Sequence, residues 1–84
     1  MQLTLFVSEF FTRSGEAQQL WKSLAEERGL PLSVLDINSD SGREAALRLG
    51  VSVVPALALN DRLLAIGVPT LEEGRALLVN SGRV

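Results

Sequence analysis

Short apolar runs of strand length stand on either side of a stretch whose apolar residues recur at helical spacing, and this alternation does most to limit what the chain can become. Leu3, Leu5 and Val7 interleave with Thr4 and Phe6, a run that fits a strand buried on both faces. Ala17, Leu20, Trp21, Leu24 and Ala25 then return on one helical face, with Gln18, Lys22, Glu26 and Arg28 on the other. Gly29 and Pro31 end that helix. Leu32, Val34, Leu35 and Ile37 make a second strand. Strand, helix and strand at this length imply a right-handed crossover, which sets the two strands side by side and parallel.

The second half changes connection type. Ser41 and Glu44 have capping-box spacing, which opens a helix predicted to run to Leu49, with Gly50 as its left-handed cap. Val53 to Leu59 and Arg62 to Ile66 read as two strands around the turn Asn60-Asp61, and so short a link makes them antiparallel. Thr70 and Glu73 repeat the capping-box spacing after Pro69. Leu71, Ala76, Leu77 and Leu78 are the expected buried side of the last helix, Gly74 its weak point at about 1 kcal/mol against alanine, and Asn80 the start of a fraying tail. The order βαβαββα gives one α/β domain over residues 1–84, a four-stranded mixed sheet with helices on both faces.

Composition removes several function classes. The chain has no cysteine and no histidine, so disulfides, thiol nucleophiles, the usual zinc sites and the commonest general base are not available to it. A net charge of -2 offers no broad cationic surface for nucleic acid. No segment approaches the roughly 20 apolar residues that cross a bilayer. The first residues, MQLTLFV, lack a basic stretch and read as strand and not as signal peptide. The expectations are a cytoplasmic protein, no cofactor, no metal, no nucleic-acid or membrane partner, and no enzymatic thiol chemistry. Asp36, Asp40 and Glu44 lack the spacing of a calcium loop and read as solvated or capping groups. Arg43 and Arg48 belong to a polar outer face.

Leu49 to Leu57 (Leu-Gly-Val-Ser-Val-Val-Pro-Ala-Leu), the turn Asn60-Asp61 and Gly67-Val-Pro-Thr70, in this element order, resemble the small thioredoxins and glutaredoxin-like proteins over nearly the whole chain. The resemblance implies a thioredoxin-like three-layer sandwich, in which the proline matching Pro55 follows a cis peptide bond. It also places Phe11 and Ser14 where that family carries its two cysteines. The loop from Phe6 to Ala17, with Ser14 and Ala17 as Ser-x-x-Ala, is similar to the non-redox KaiB-like domains, which act by protein contact. Val-Pro-Ala-Leu from Val54 to Leu57 is similar to the amino-terminal domain of glutathione transferases, although Gly67-Val68-Pro69-Thr70 stands where those keep their acidic residue and serine.

Ser14 reads as the N-cap of the first helix. The amides beside Gly15 form a helix start that favours anions, against which Glu16 acts. One of Phe10 and Phe11 is expected in the core and the other exposed as a partner anchor. In the redox family the residue matching Val54 pairs its backbone with an extended peptide, a contact that needs no particular side chain. Trp21 is expected in the core. Together these readings describe a redox-inactive thioredoxin-fold module that binds a protein or extended peptide at Phe10, Phe11, Thr12, Arg13, Ser14, Val54 and Pro55, with weak self-association as a further possibility. The alternative is a glutathione-binding or glutaredoxin- or thioredoxin-related oxidoreductase whose active-site cysteines are missing in this chain.

Overall fold

The computed structural model describes residues 2–10 and 13–81. Its elements follow the order β1 (Leu3–Val7), α1 (Ser14–Arg28), β2 (Leu32–Asp36), α2 (Asp40–Leu49), β3 (Ala56–Leu59), β4 (Arg62–Ile66) and α3 (Leu71–Ser81). The strands form one sheet in the order β2-β1-β3-β4. β1 runs parallel to β2, from Leu3 opposite Leu32 to Val7 opposite Asp36, and antiparallel to β3, from Leu3 opposite Leu59 to Phe6 opposite Ala56. β3 and β4 form the hairpin, with Asn60 at φ 54 in its turn. The crossover and the hairpin are those the connection lengths imply.

Strand alternation sorts the core into two layers. Leu3, Leu5, Leu57 and Leu59 face α1 and α3, where they meet Ala17, Trp21, Leu24 and Leu78. Phe6, Ala56 and Ala58 face α2 and meet Ala46 and Val54. Small alanines opposite the Phe6 ring allow α2 to close on the sheet, and the larger leucines fill the side covered by two helices. Trp21 and the four leucines Leu3, Leu5, Leu24 and Leu57 are completely buried, each contributing about 1.5–3 kcal/mol through removal from water.

Several local expectations change. Helix α2 is capped by Ser39, whose hydroxyl accepts from the Gly42 N–H at 3.1 Å, and Ser41 lies inside the helix. The shift arises because Asp36 holds Ser39: its backbone carbonyl accepts from both the Ser39 hydroxyl at 2.6 Å and the Ser39 N–H at 3.0 Å. The carboxylate of Asp36 accepts from the Asn38 N–H at 2.8 Å, completing an Asx-type turn. Strand β3 begins at Ala56, and Val53 to Pro55 approach it as a bend. Leu71 and Ala76 are exposed, whereas Gly74 and Leu78 are the buried residues of α3. Gly74 is where α3 comes against α1: a Cβ there would meet Leu24 Cδ1 at 2.7 Å and the Trp21 ring at 3.4 Å. The absence of a side chain is therefore what the helix contact requires. Helix α3 also continues past Asn80 to Ser81.

Helix α3 is fastened by two polar contacts in its first half. Thr70 and Glu73 make the reciprocal capping box, Thr70 N–H to Glu73 Oε1 at 3.0 Å and Glu73 N–H to Thr70 Oγ1 at 3.1 Å. Arg75 grips Glu27 of α1 with two parallel bonds of 2.9 Å. Arg75 hydrogen bonds hold the Glu27 carboxyl below its ordinary value of 4.5, and the Thr70 N–H and hydroxyl do the same for Glu73. A depressed folded-state pKa gives a contribution that is complete above the unfolded value and is lost as pH falls through the folded one. Urea midpoints should hold steady at neutral pH and decline as pH drops below 4.5, and Glu27→Gln with Glu73→Gln should flatten that decline. An unchanged acid slope in the double variant would place the sensitivity in other groups.

Gly42 supplies a second test. A Cβ on it would fall onto the Asp36 carbonyl. Alanine elsewhere in a helix gains about 1 kcal/mol over glycine. Gly42→Ala should instead lose about 2 kcal/mol through overpacking. Equal or greater stability in denaturant would show that the α2 start does not rest on the end of β2.

Candidate functional site

The register brings one set of loops to one end of the sheet. The carboxyl ends of β1 and β2, the amino end of β3 and the carboxyl end of β4 coincide there, because Val7 pairs with Asp36, and Ala56 pairs with both Phe6 and Ile66. This end therefore carries Ser8 to Phe10 and Arg13, the turn at Ile37 to Ser39, the bend from Val53 to Pro55, and Gly67. Helices α1 and α2 start from it, α1 within the parallel β1–α1–β2 crossover and α2 on the way from β2 to the antiparallel β3. Loops at the carboxyl ends of parallel strands are where open α/β sheets place their ligands.

Within it, Ser8 and Ser14 form a latch. Both are buried, and the Ser14 hydroxyl donates to the Ser8 carbonyl at 3.0 Å while accepting from the Ser8 N–H at 3.3 Å. The Ser8 hydroxyl accepts from the Phe10 N–H at 3.3 Å and from the Asn38 side-chain amide at 3.1 Å. Ser14 thus corrects the expectation of an N-cap. Arg13 occupies the cap position without a side-chain cap bond, and Ser14 is the first helical residue. Its hydroxyl is drawn toward β1 because the strand end would otherwise leave a buried amide and carbonyl without partners.

The other predicted residues take distinct places. Phe10 is 76% exposed. Phe11 and Thr12 lie outside the described residues. Arg13 is exposed and pairs with Glu16 at 3.4 Å. Val54 is buried in the α2-side layer, with 5% exposed, and Pro55 is buried beside it, while Val53 is 52% exposed. The Val54–Pro55 peptide is cis, and the Pro55 carbonyl accepts from the Gly67 N–H at 2.7 Å, tying the bend to the end of β4. Gly67 has φ 81, a left-handed value that suits glycine. Phe10 and Val53 thus share this end, whereas the Val54 and Pro55 side chains serve the core and leave backbone as what that bend can offer.

Ser8, Asn38 and Val53 were not legible as site residues. Ser8 reads in sequence as the polar end of an apolar run, and nothing in local spacing ties it to Asn38, which reaches it only through the β1–β2 pairing.

Ser14→Ala removes the hydroxyl from the Ser8 amide and carbonyl. A loss of about 2 kcal/mol, the scale of a buried polar group left unpaired, together with faster amide exchange at Phe10, is the expected result. Unchanged exchange would mean that the loop is held by other contacts.

The sequence matches no protein-family model. It is similar to a protein of Archaeoglobus fulgidus described as a probable thioredoxin, with 35% identity over 78 residues, spanning 93% of this chain and 86% of the relative. Its fold is that of thioredoxin 1 from the thermophilic eubacterium Thermosipho africanus TCF52B, with a TM-score of 0.77 over 96% of this chain and 93% of that one, at 10% identity. The four-stranded mixed sheet between helix layers agrees with that likeness, and the chain contains no cysteine at any position. By its similarity along nearly its full length, this chain belongs to the thioredoxin family.

Proposed function

We propose that the chain is a redox-inactive member of its family that works in the cytoplasm by binding a partner protein or extended peptide at the end of the sheet formed by Phe10 to Ser14 and Val54-Pro55. The observation that carries this reading is the exposed Phe10 ring on a loop anchored at Ser8 and Ser14 in a chain with no cysteine. An aromatic side chain held out on an anchored loop loses little conformational freedom on binding, and such residues dominate interface energies. Val53 adds a second exposed apolar group at the same end.

The chemistry of the loop supports recognition over turnover. The Ser14 hydroxyl is engaged with the Ser8 backbone on both its donor and acceptor sides. A serine without an adjacent base is a poor nucleophile, and the chain has no histidine to act as one. Backbone at the Val54 bend is the element left for pairing with an extended segment, which requires no reactive group.

The test begins by capturing a partner from the native host and identifying it by mass spectrometry, after which its affinity is measured by calorimetry. Phe10→Ala should weaken that complex by about 2 kcal/mol with an unchanged denaturation midpoint. Equal affinity of wild type and variant would remove this loop from the interface. Disulfide reductase turnover by the purified chain would end the redox-inactive reading.

A further inference from the structure

Charge divides along the direction of the strands. The end that carries Phe10 also carries Glu9 after β1 and Asp36 at the end of β2, and each helix that starts there has an acid in its first turn, Glu16, Asp40 and Glu72. Arg28 and Arg48 stand in the last turns of α1 and α2, away from this end, and Arg62 opens β4 there. Part of the division has an ordinary cause: acids near the start of a helix and bases near its finish offset the helix dipole. That cause does not cover Glu9 and Asp36, which belong to no helix.

The carboxylates at this end exceed the cations beside them. Among the described residues the nearby cations are Arg13, already paired with Glu16 at 3.4 Å, and Arg43 on α2. Glu9 and Asp40 are exposed and have no ion pair among the described residues. Asp36 accepts from the Asn38 N–H and has no ion pair either. The β1–β2 register sets Asp36 opposite Val7, and Asn38 bonds to Ser8, so these groups border the Phe10 loop. The apolar part of the same end is uncovered: Phe10, Val53 and, at the end of β4 opposite Ala56, Ile66 are all exposed.

We propose that the segment bound at this end is extended and cationic, with an apolar residue against Phe10 and Val53 and lysine or arginine side chains toward Glu9, Asp36 and Asp40. This inference rests on the partner-binding reading and supplies the chemistry of the partner. An acidic peptide or a phosphate-bearing surface would bring like charge onto the loop, whereas a basic segment gains attraction and faster encounter. A neutral segment covering Phe10 would draw the adjoining Glu9 carboxylate out of water with nothing to pair it. Lysine or arginine next to the apolar residue answers both.

The probes are short synthetic peptides of alternating leucine and lysine, leucine and glutamine, or leucine and glutamate, titrated into the full chain while backbone amide shifts are recorded. The lysine peptide should move Glu9, Phe10 and Val53, and at low salt bind about tenfold more tightly than the glutamine peptide, a gap that closes at high salt. The glutamate peptide should bind most weakly. Glu9→Gln, with an unchanged denaturation midpoint, should weaken the lysine peptide about threefold and leave the glutamine peptide as it was. Phe10→Ala should weaken both. Equal binding of the lysine and glutamine peptides at low salt overturns the cationic assignment and leaves the partner reading standing. So does a lysine-peptide response that Glu9→Gln does not change, which would place the attraction on the acidic surface at large, and so does failure of the lysine peptide to bind. The partner reading is decided separately, by Phe10→Ala on the native complex.

Discussion

Everything else in the molecule is arranged around β1, a five-residue strand hydrogen-bonded on both sides and covered on both faces. Its residues divide between the layers, Leu3 and Leu5 toward α1 and α3 and Phe6 toward α2. A strand so enclosed cannot slip by one residue without exchanging the two sets. Its register with β2 and β3 thus determines which loops meet at its carboxyl end. The N-terminal backbone is tied as well: the Leu3 N–H donates to the Pro31 carbonyl at 3.0 Å, and the Asn60 N–H donates to the Gln2 carbonyl at 2.8 Å.

The helix layer over Leu3 and Leu5 shows how close packing and polar satisfaction compete. Trp21 fills the space beneath α3 because Gly74 has no side chain. Its indole Nε1 is buried without a partner among the described residues. Leaving such a donor unpaired costs about 1–3 kcal/mol, comparable to what burial of one large apolar group contributes. The ring is kept for its volume, and the Arg75–Glu27 bridge outside the contact closes the same pair of helices from the solvent side.

At the sheet end, a thioredoxin frame is held together with hydroxyl and amide groups. Ser8, Ser14 and Asn38 join the ends of β1 and β2 and the start of α1 through hydrogen bonds. These bonds hold Ser8 and Phe10 against Ser14 and Asn38. Phe10 follows at the surface, an exposed apolar ring whose N–H is held by the Ser8 hydroxyl.

The sequence by itself determined the element order, the parallel crossover, the hairpin, the Gly29 and Gly50 helix stops, the Thr70 cap and the buried position of Trp21, because periodicity, turn residues and capping pairs act over a few residues. It also determined that the chain has no cysteine. Only the tertiary structure decided that Ser14 bonds to Ser8 and does not cap, that Ser39 displaces Ser41, and that Gly74 is a contact and not a weakness. It also decided which apolar side chains of β4 stay exposed. Each of these depends on a neighbour remote in the chain or on how the strands register. An isolated segment offers a serine several equivalent partners and a glycine no reason to be there, and the choice among them is made only when the sheet and its helices close.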